Sequence, residues 1–105
     1  MNTEIVKLEF RRFNASVGSA VRSRIAVAWA TGATTVVLDF SGVANIDSLG
    51  VSVLVSEHRR RPPETRIVLC GLNDYVREVL EITQLVRLFD VYATSDAIVA
   101  SAPAS

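Results

Sequence analysis

The chain has 105 residues, 50% of them hydrophobic, and its eleven basic and eleven acidic side chains give no net charge. This length and hydrophobicity suit one globular domain and exclude an intrinsically disordered chain. The balanced charge gives no general attraction to nucleic acid or to anionic membranes. No hydrophobic run reaches the roughly 20 residues that span a bilayer, and the first residues lack a signal-peptide pattern. We therefore expect a single cytoplasmic domain over residues 1–105, with residues 101–105 as a frayed tail.

The first third of the sequence predicts a strand followed by an amphipathic helix. Residues 5–10 alternate with a period of two, which is typical of a half-buried strand. Asn14 and Ser16 are then candidate caps for a helix, and Gly32 is placed to end it. The hydrophobic residues of this helix recur every four positions, as Val17, Val21, Ile25 and Trp29.

The next stretch, residues 35–55, is the predicted centre of the fold. Residues 36–40 form a hydrophobic run bounded by turn residues, which is typical of a strand buried on both faces. Asp47 and Ser48 are both good N-cap residues, so either one, or both, could simply begin a helix. Residues 51–55 alternate like a strand, but the cap chemistry before them and Pro62-Pro63 after them favour a helix.

The remainder of the chain continues the alternation of strands and helices. Residues 66–71 predict a second buried strand, Asn73 caps another helix, and residues 86–92 hold a short strand. Ser95 opens a final helix. Alternating strands and helices predict parallel pairing through crossover helices, and hence an α/β fold. We expect a mostly parallel, mixed sheet of about four strands with about four helices.

The sequence offers little for catalysis or for cofactor binding. One histidine and one cysteine cannot supply the usual ligands of a zinc site, and no glycine-rich phosphate-binding motif occurs. A Ser-His-Asp triad would need His58, which lies roughly 15 Å beyond Ser48 on the same predicted helix. We therefore expect no enzymatic activity, no cofactor and no bound metal. Cys70, in a hydrophobic strand, is expected to be a core residue.

A basic run, residues 58–61, follows the central helical pattern. No aromatic residues interleave with these four side chains, so they resemble a solvated helix end rather than a nucleic-acid patch. Basic residues also suit the end of a helix, where the backbone carries negative partial charge. We expect no direct contact with nucleic acid or with a membrane.

Three segments resemble the STAS domain family, as found in bacterial anti-sigma-factor antagonists. The segment VVLDFSGVANIDSLGVSVLV resembles the family's buried strand, its Asp-Ser turn and the start of the next helix. The segment NDYVREVLEITQLVRLFDVYATSDAIVA resembles the third helix, last strand and final helix, and RFNASVGSAVRSRI resembles the first helix. The resemblance therefore covers nearly the whole chain from Phe13 onward.

This resemblance implies a function for the Asp-Ser turn. In such antagonists, the serine after the aspartate is phosphorylated by a dedicated kinase that also acts as the anti-sigma factor. By resemblance, Ser48 is the phosphoacceptor, and the partner surface comprises Asp47, Ser48, Leu49, Gly50 and Ser52. The unphosphorylated form would bind the anti-sigma factor/serine protein kinase and free the sigma factor. Leu49 stands where the family usually has Ser or Thr, and Ser52 replaces a common Gly, which suggests an altered partner.

Three functions remain open for such a domain. The first is the kinase-regulated switch, which we expect to be mainly monomeric, with at most a weak dimer. The second is a scaffolding STAS domain that packs into a larger signalling assembly and uses Ser48 only as a helix cap. The third is a module that senses a small ligand or a nucleotide. Self-association would favour the scaffold, and stabilisation by added nucleotides would favour the sensor.

Overall fold

The structure, a computed structural model, describes residues 2–94 of the chain. These residues form six strands: β1 (Thr3–Lys7), β2 (Arg12–Phe13), β3 (Thr35–Asp39), β4 (Asn45–Ile46), β5 (Arg66–Cys70) and β6 (Asp90–Tyr92). The main sheet has the strand order β1-β3-β5-β6, and β2 pairs with β4 separately. Every strand pair is parallel within this range. The predicted α/β fold is confirmed, although the described sheet is wholly parallel rather than mixed.

Helices connect these strands. The described residues contain three α-helices: α1 (Gly18–Ala30), α2 (Ser48–Arg60) and α3 (Asp74–Ile82). Single 3₁₀ turns at Ala15–Val17 and Leu85–Arg87 complete the helical structure of this part of the chain. The predicted fourth helix, from Ser95 onward, lies outside the described residues, as does the tail 101–105. No helix among the described residues is long and apolar enough to cross a membrane.

The first strand and the first helix have the predicted type, but β1 spans Thr3–Lys7 instead of residues 5–10, and Val17 lies in a 3₁₀ turn before α1. Val6 and Leu8 are buried while Ile5 is 44% exposed, as the predicted alternation requires. The side chain of Asn14 accepts a hydrogen bond from the Ser16 backbone and begins the 3₁₀ turn that leads into α1. Helix α1 ends before Gly32, whose φ of 92° lies in the left-handed region that favours glycine.

The central strand β3 is buried on both faces, as predicted. Val36 and Leu38 belong to the large core that β3 shares with the three helices. Val37 points to the opposite face, where it packs with Val68 and Cys70. Cys70 is fully buried. Its burial, together with the nearby Asp39 carboxylate, raises the pKa of the thiol to about 11, as expected of a core cysteine.

The end of the described chain differs from the sequence prediction. The strand expected over residues 86–92 begins only at Asp90, because Leu85–Arg87 forms a 3₁₀ turn instead. Gln84 precedes this turn with a φ of 62°, which redirects the chain. Leu85 and Phe89 are both buried while Arg87 between them is exposed, a pattern that suits a helical turn rather than the period of two of a strand.

The β2–β4 pair positions the start of α2. The backbone N–H of Asp47 donates to the Phe13 carbonyl oxygen over 3.2 Å, directly after the two strands pair. On the other side, the side-chain amide of Asn73 donates to the Ala44 carbonyl oxygen over 2.9 Å and links the start of α3 to the same loop. The segment that leads into α2 is therefore held by hydrogen bonds to two other parts of the chain.

Candidate partner-binding site

Asp47 is the residue that caps α2. One of its carboxylate oxygens accepts hydrogen bonds from the backbone N–H groups of Leu49, over 3.0 Å, and Gly50, over 2.9 Å. Its backbone is extended, as an N-cap requires. These two bonds satisfy donors that the first turn of a helix otherwise leaves free. The cap confirms a helix, rather than a strand, after this turn.

Ser48 is the first residue of α2 and does not serve as its cap. The residue is exposed, and its hydroxyl makes no hydrogen bond within residues 2–94. The sequence left open whether Asp47 or Ser48 would cap the helix, and the geometry assigns that task to Asp47 alone. The hydroxyl of Ser48 is consequently open to solvent at the end of a helix that carries positive partial charge.

The other three predicted site residues lie in different environments. Leu49 is 55% exposed. Ser52 is exposed one turn after Ser48. Gly50 is buried, because α2 packs there against the backbone of β2. A Cβ at Gly50 would come within 2.2 Å of the Phe13 carbonyl oxygen. The absence of a side chain at Gly50 therefore allows α2 to pack this closely beneath the site.

A groove runs along the outer side of α2 from its first residue. Ser48 and Ser52 line it on successive turns, and Ser56, Arg59 and Arg60 continue it toward the C-terminal end. The groove has a volume of about 590 Å³ and also contains Val51 and Val55. It brings Ser48 and Ser52 together on one surface, whereas Leu49 lies outside its lining.

A second depression, which the sequence did not indicate, lies beside Asp47. It has a volume of about 300 Å³ and is lined by Asp47, by the segment 44–46 and by Tyr75 of α3. Tyr75 is 54% exposed, although it is large and aromatic. The sequence held one indication of this exposure: Tyr75 directly precedes the buried Val76 and so lies outside the hydrophobic stripe of α3. Exposed tyrosines are frequent in protein interfaces.

Glu57 is a further residue whose environment the sequence did not indicate. It lies three residues before the end of α2 but is only 4% exposed, facing α1. One of its carboxylate oxygens lies 3.5 Å from Nε of Arg22 and has no hydrogen bond within the described residues. Arg22 itself is half exposed. The pair links the two helices, at the cost of burying a carboxylate with a single partner.

The described residues do not assemble a catalytic group around Ser48. His58 lies near the opposite end of α2, where its ring makes an edge-to-face contact with Phe89 at 5.4 Å. Residues 2–94 also contain no cluster of His, Cys, Asp and Glu that could hold a metal ion. His58 is therefore not positioned to act as a general base for Ser48.

Comparisons with known proteins agree with this architecture. A family model described as the STAS domain matches residues 13–98. No curated protein matches the sequence. Among solved structures, the chain is similar to an anti-sigma factor antagonist from Mycobacterium paratuberculosis, with a TM-score of 0.80 and 22% identity over 94% of this chain and 85% of that one.

Two other structural neighbours have related folds. The Bacillus protein SpoIIAA is similar in its unphosphorylated form, with a TM-score of 0.70 and 22% identity over 92% of this chain and 85% of that one. For its phosphorylated form the TM-score is 0.65, with 20% identity over 96% and 92%. A sulfate transporter family protein from Wolinella succinogenes gives a TM-score of 0.73 and 20% identity over 90% and 79%.

These identities are too low to carry function, but they show a shared fold. The family match covers most of the sequence, including the Asp47-Ser48 turn and all three described α-helices. The chain belongs to the STAS domain family.

Proposed function

We propose that this chain is an anti-sigma-factor antagonist. It binds an anti-sigma factor that is also a serine kinase while Ser48 is unphosphorylated, and it releases that partner once Ser48 carries phosphate. The observation that carries this proposal is the exposed, unbonded hydroxyl of Ser48 at the start of α2. The similarity to an antagonist and to SpoIIAA, which is known in unphosphorylated and phosphorylated forms, supports it.

The partner supplies the chemistry of the modification. The Ser48 oxygen forms a bond to the γ-phosphorus of ATP, the bond from that phosphorus to ADP breaks, and the serine proton passes to a base of the kinase. ATP and its metal ion come with the kinase, so the antagonist itself acts as a binding protein and substrate. Its role is to present the hydroxyl in a fixed position, which the backbone anchors of α2 provide.

The hydrogen bonds of Asp47 explain why a phosphate on Ser48 would change the binding of a partner. A phosphate at a helix N-terminus usually gains hydrogen bonds from the free N–H groups of the first turn. Here the N–H groups of Leu49 and Gly50 already donate to Asp47. A phosphate on Ser48 would add about −2 of charge beside this carboxylate, so little of that charge would be neutralised locally. Once Ser48 is phosphorylated, the surface would therefore lose its electrostatic complementarity to the partner.

The partner surface that we propose extends on both sides of Ser48. Asp47, Leu49 and Ser52 are exposed around it and are available for contact, while Gly50 supports them from inside. Leu49 supplies an apolar contact that can be desolvated, as the centre of an interface requires. We place this binding in the cytoplasm, with the antagonist acting mainly as a monomer.

Phosphorylation of Ser48 can be tested directly. The protein is used as bait in a lysate of the source organism, a bound serine kinase is identified, and the purified pair is incubated with ATP. Peptide mass spectrometry should then find phosphate on Ser48 alone, and Ser48→Ala should remain unmodified. Phosphate mainly on Ser41, Ser52 or Ser56 would contradict the assignment.

A scaffolding role is the second candidate, since the same fold also occurs in a sulfate transporter family protein and is therefore not confined to antagonists. A scaffold of this kind should self-associate, whereas a switch should remain mainly monomeric. Light scattering after size-exclusion chromatography separates the two. A third candidate, nucleotide sensing, predicts that added nucleotides raise the melting temperature of the protein.

A further inference from the structure

A small basic pocket lies at the end of α2 that is distant from Ser48. It has a volume of about 120 Å³. The polar groups of its lining are His58, Arg61, Arg66, Arg87 and Asp90, and Phe89 contributes a hydrophobic wall. His58 is ten residues from Ser48, or roughly 15 Å along the helix. The pocket is therefore separate from the proposed partner surface.

Two of the guanidinium groups in this pocket are held in place. Arg61 donates from Nε to Nδ1 of His58 over 3.4 Å and from a terminal nitrogen to the Thr65 carbonyl oxygen over 3.1 Å. Arg66 forms an ion pair with Asp90 at 3.2 Å. The side chain of Arg87 is exposed and makes no hydrogen bond or ion pair within residues 2–94, although its backbone N–H donates to the Gln84 carbonyl oxygen. It is thus the guanidinium group that is free to bind a ligand.

The charges around the pocket do not balance. Three guanidinium groups face one carboxylate, so the lining carries a net charge of +2 when His58 is neutral. Burial lowers the pKa of His58, and the positive charges of Arg61 and Arg59 lower it further. The neutral imidazole accepts a hydrogen bond from Arg61, which is consistent with this direction. The pocket therefore has excess positive charge that its own side chains do not neutralise.

We propose that this pocket binds a tetrahedral oxyanion that carries two negative charges, such as sulfate or a phosphoryl group. Arginine side chains bind such groups through paired N–H donors, and here three of them converge on one depression. The volume is well below the roughly 300 Å³ at which pockets for drug-sized ligands begin, so it has room for one oxyanion. The proposal does not depend on the function proposed for Ser48.

His58 provides a reporter for this binding, because it is the only histidine of the chain. Its ring is surrounded by Arg59 and Arg61 from α2 and by Arg66, Arg87 and Asp90 from the neighbouring segments. A bound dianion would offset the positive charges and stabilise the imidazolium form. The pKa of His58 should therefore rise when the pocket is occupied, and proton NMR can follow its ring signals without assigning any other residue.

The experiment compares sodium sulfate with sodium chloride at equal ionic strength. Chloride raises the pKa of His58 only by screening the neighbouring arginines. Sulfate, which remains a dianion throughout the titration, should raise it further and in a saturable manner, with a Kd of about 1 mM, which is weak because the lining is partly exposed. If sulfate and chloride give the same pKa at every ionic strength, the pocket does not bind oxyanions and the proposal fails.

Substitution of Arg87 tests the site itself. Arg87→Ala removes a guanidinium group that makes no hydrogen bond or ion pair within the described residues, and we expect it to weaken sulfate binding about tenfold or more. Arg77→Ala is the matched control, because it removes an exposed arginine of α3 that does not line the pocket. An Arg87→Ala variant that keeps the full sulfate response would overturn the proposal, as would equal losses in both variants.

A second ligand tests whether the pocket binds a free ion or the phosphoryl group of a larger molecule. O-phosphoserine at pH 7.5 presents a phosphoryl group as a monoester. If it shifts the same His58 signals as inorganic phosphate, the pocket accepts phosphorylated molecules. If only inorganic phosphate acts, the pocket is a site for a free ion. Either result supports an oxyanion site, whereas the absence of any shift with both contradicts it.

Discussion

The two ends of α2 differ in how they are built and in what they present to solvent. The N-terminal end is fixed by backbone contacts to Phe13, is capped by one carboxylate and exposes a neutral hydroxyl. The C-terminal end is held by side chains and exposes several arginines around His58. Each end carries the charge that suits the helix dipole. From this difference we expect an added negative charge to remain uncompensated at the first end and to be neutralised at the second.

The largest effect is expected from breaking the backbone anchor at the N-terminal end. Gly50→Ala places a methyl group within 2.2 Å of the Phe13 carbonyl oxygen and within 2.8 Å of the Ile46 side chain. Because α2 must then move away from β2, we expect a loss of about 3 kcal/mol in the free energy of unfolding, measured by urea denaturation.

Gly42→Ala is the control for this substitution. A Cβ at Gly42 meets its nearest neighbour, the Leu8 carbonyl oxygen, at 3.5 Å, which is an ordinary contact. It should therefore change the stability by no more than about 1 kcal/mol. If Gly50→Ala is as stable as Gly42→Ala, α2 and β2 are not packed closely enough at Gly50 to exclude a methyl group.

An intermediate effect is expected from the ion pair that links α1 and α2. Arg22→Ala leaves the buried carboxylate of Glu57 without its partner. We expect a loss of about 1–2 kcal/mol, less than for a fully buried pair because Arg22 is half exposed. Combining it with Glu57→Gln should recover part of this loss in urea denaturation, since no unpaired charge remains. A double variant less stable than Arg22→Ala alone would argue against this explanation.

A smaller effect on stability should distinguish the capping residue, Asp47, from the proposed phosphoacceptor, Ser48. Asp47→Ala removes two hydrogen bonds to the first turn of α2 and should cost about 1 kcal/mol. Ser48→Ala removes a hydroxyl that makes no hydrogen bond within the described residues and should change the stability by less than about 0.5 kcal/mol. Thermal and urea denaturation of both variants test the assignment. Equal losses would mean that Ser48 shares the capping.

The smallest effect concerns pH at the C-terminal end. The pKa of His58 is lowered in the folded state, so the unfolded chain binds the proton more readily. This residue's contribution to stability is complete above the ordinary pKa of 6.5 and is lost as the pH falls below it. In His58→Gln the stability should decrease less between about pH 7.5 and pH 5.5 than in the parent protein. Parallel pH profiles for the two proteins would contradict the lowered pKa.

Much of this fold was predictable because its patterns are local. The periodic spacing of Val21 and Ile25 predicted α1, and the hydrophobic run of β3 predicted a central strand; both are confirmed. The cap residue Asp47 correctly predicted a helix, although the residues after it alternate like those of a strand. A helix in that position buries Leu54 in the core, and this packing overrides the weak helix propensity of its β-branched residues.

Features that depend on distant contacts were not predictable. The β2–β4 pair has only two residues in each strand, too few for a periodic pattern, yet it positions Asp47. The burial of Glu57 depends on how α1 packs beside α2, which no local spacing encodes. The same applies to the pocket around His58, because its arginines come from separate segments of the chain. The sequence pattern of residues 58–61 indicated only a solvated helix end.

The most direct test of the proposed switch measures how a charge at Ser48 changes affinity for the serine kinase partner. Ser48→Asp should weaken binding by more than tenfold, since a charge in a docking surface costs on the order of 2 kcal/mol, and should change the stability by less than about 1 kcal/mol. Ser48→Ala should bind as the parent protein does. Ser23→Asp adds the same charge on the exposed side of α1 that faces β1 and should also leave binding unchanged. If Ser48→Asp binds the kinase as tightly as Ser23→Asp, Ser48 is not a charge switch and the scaffolding role is favoured.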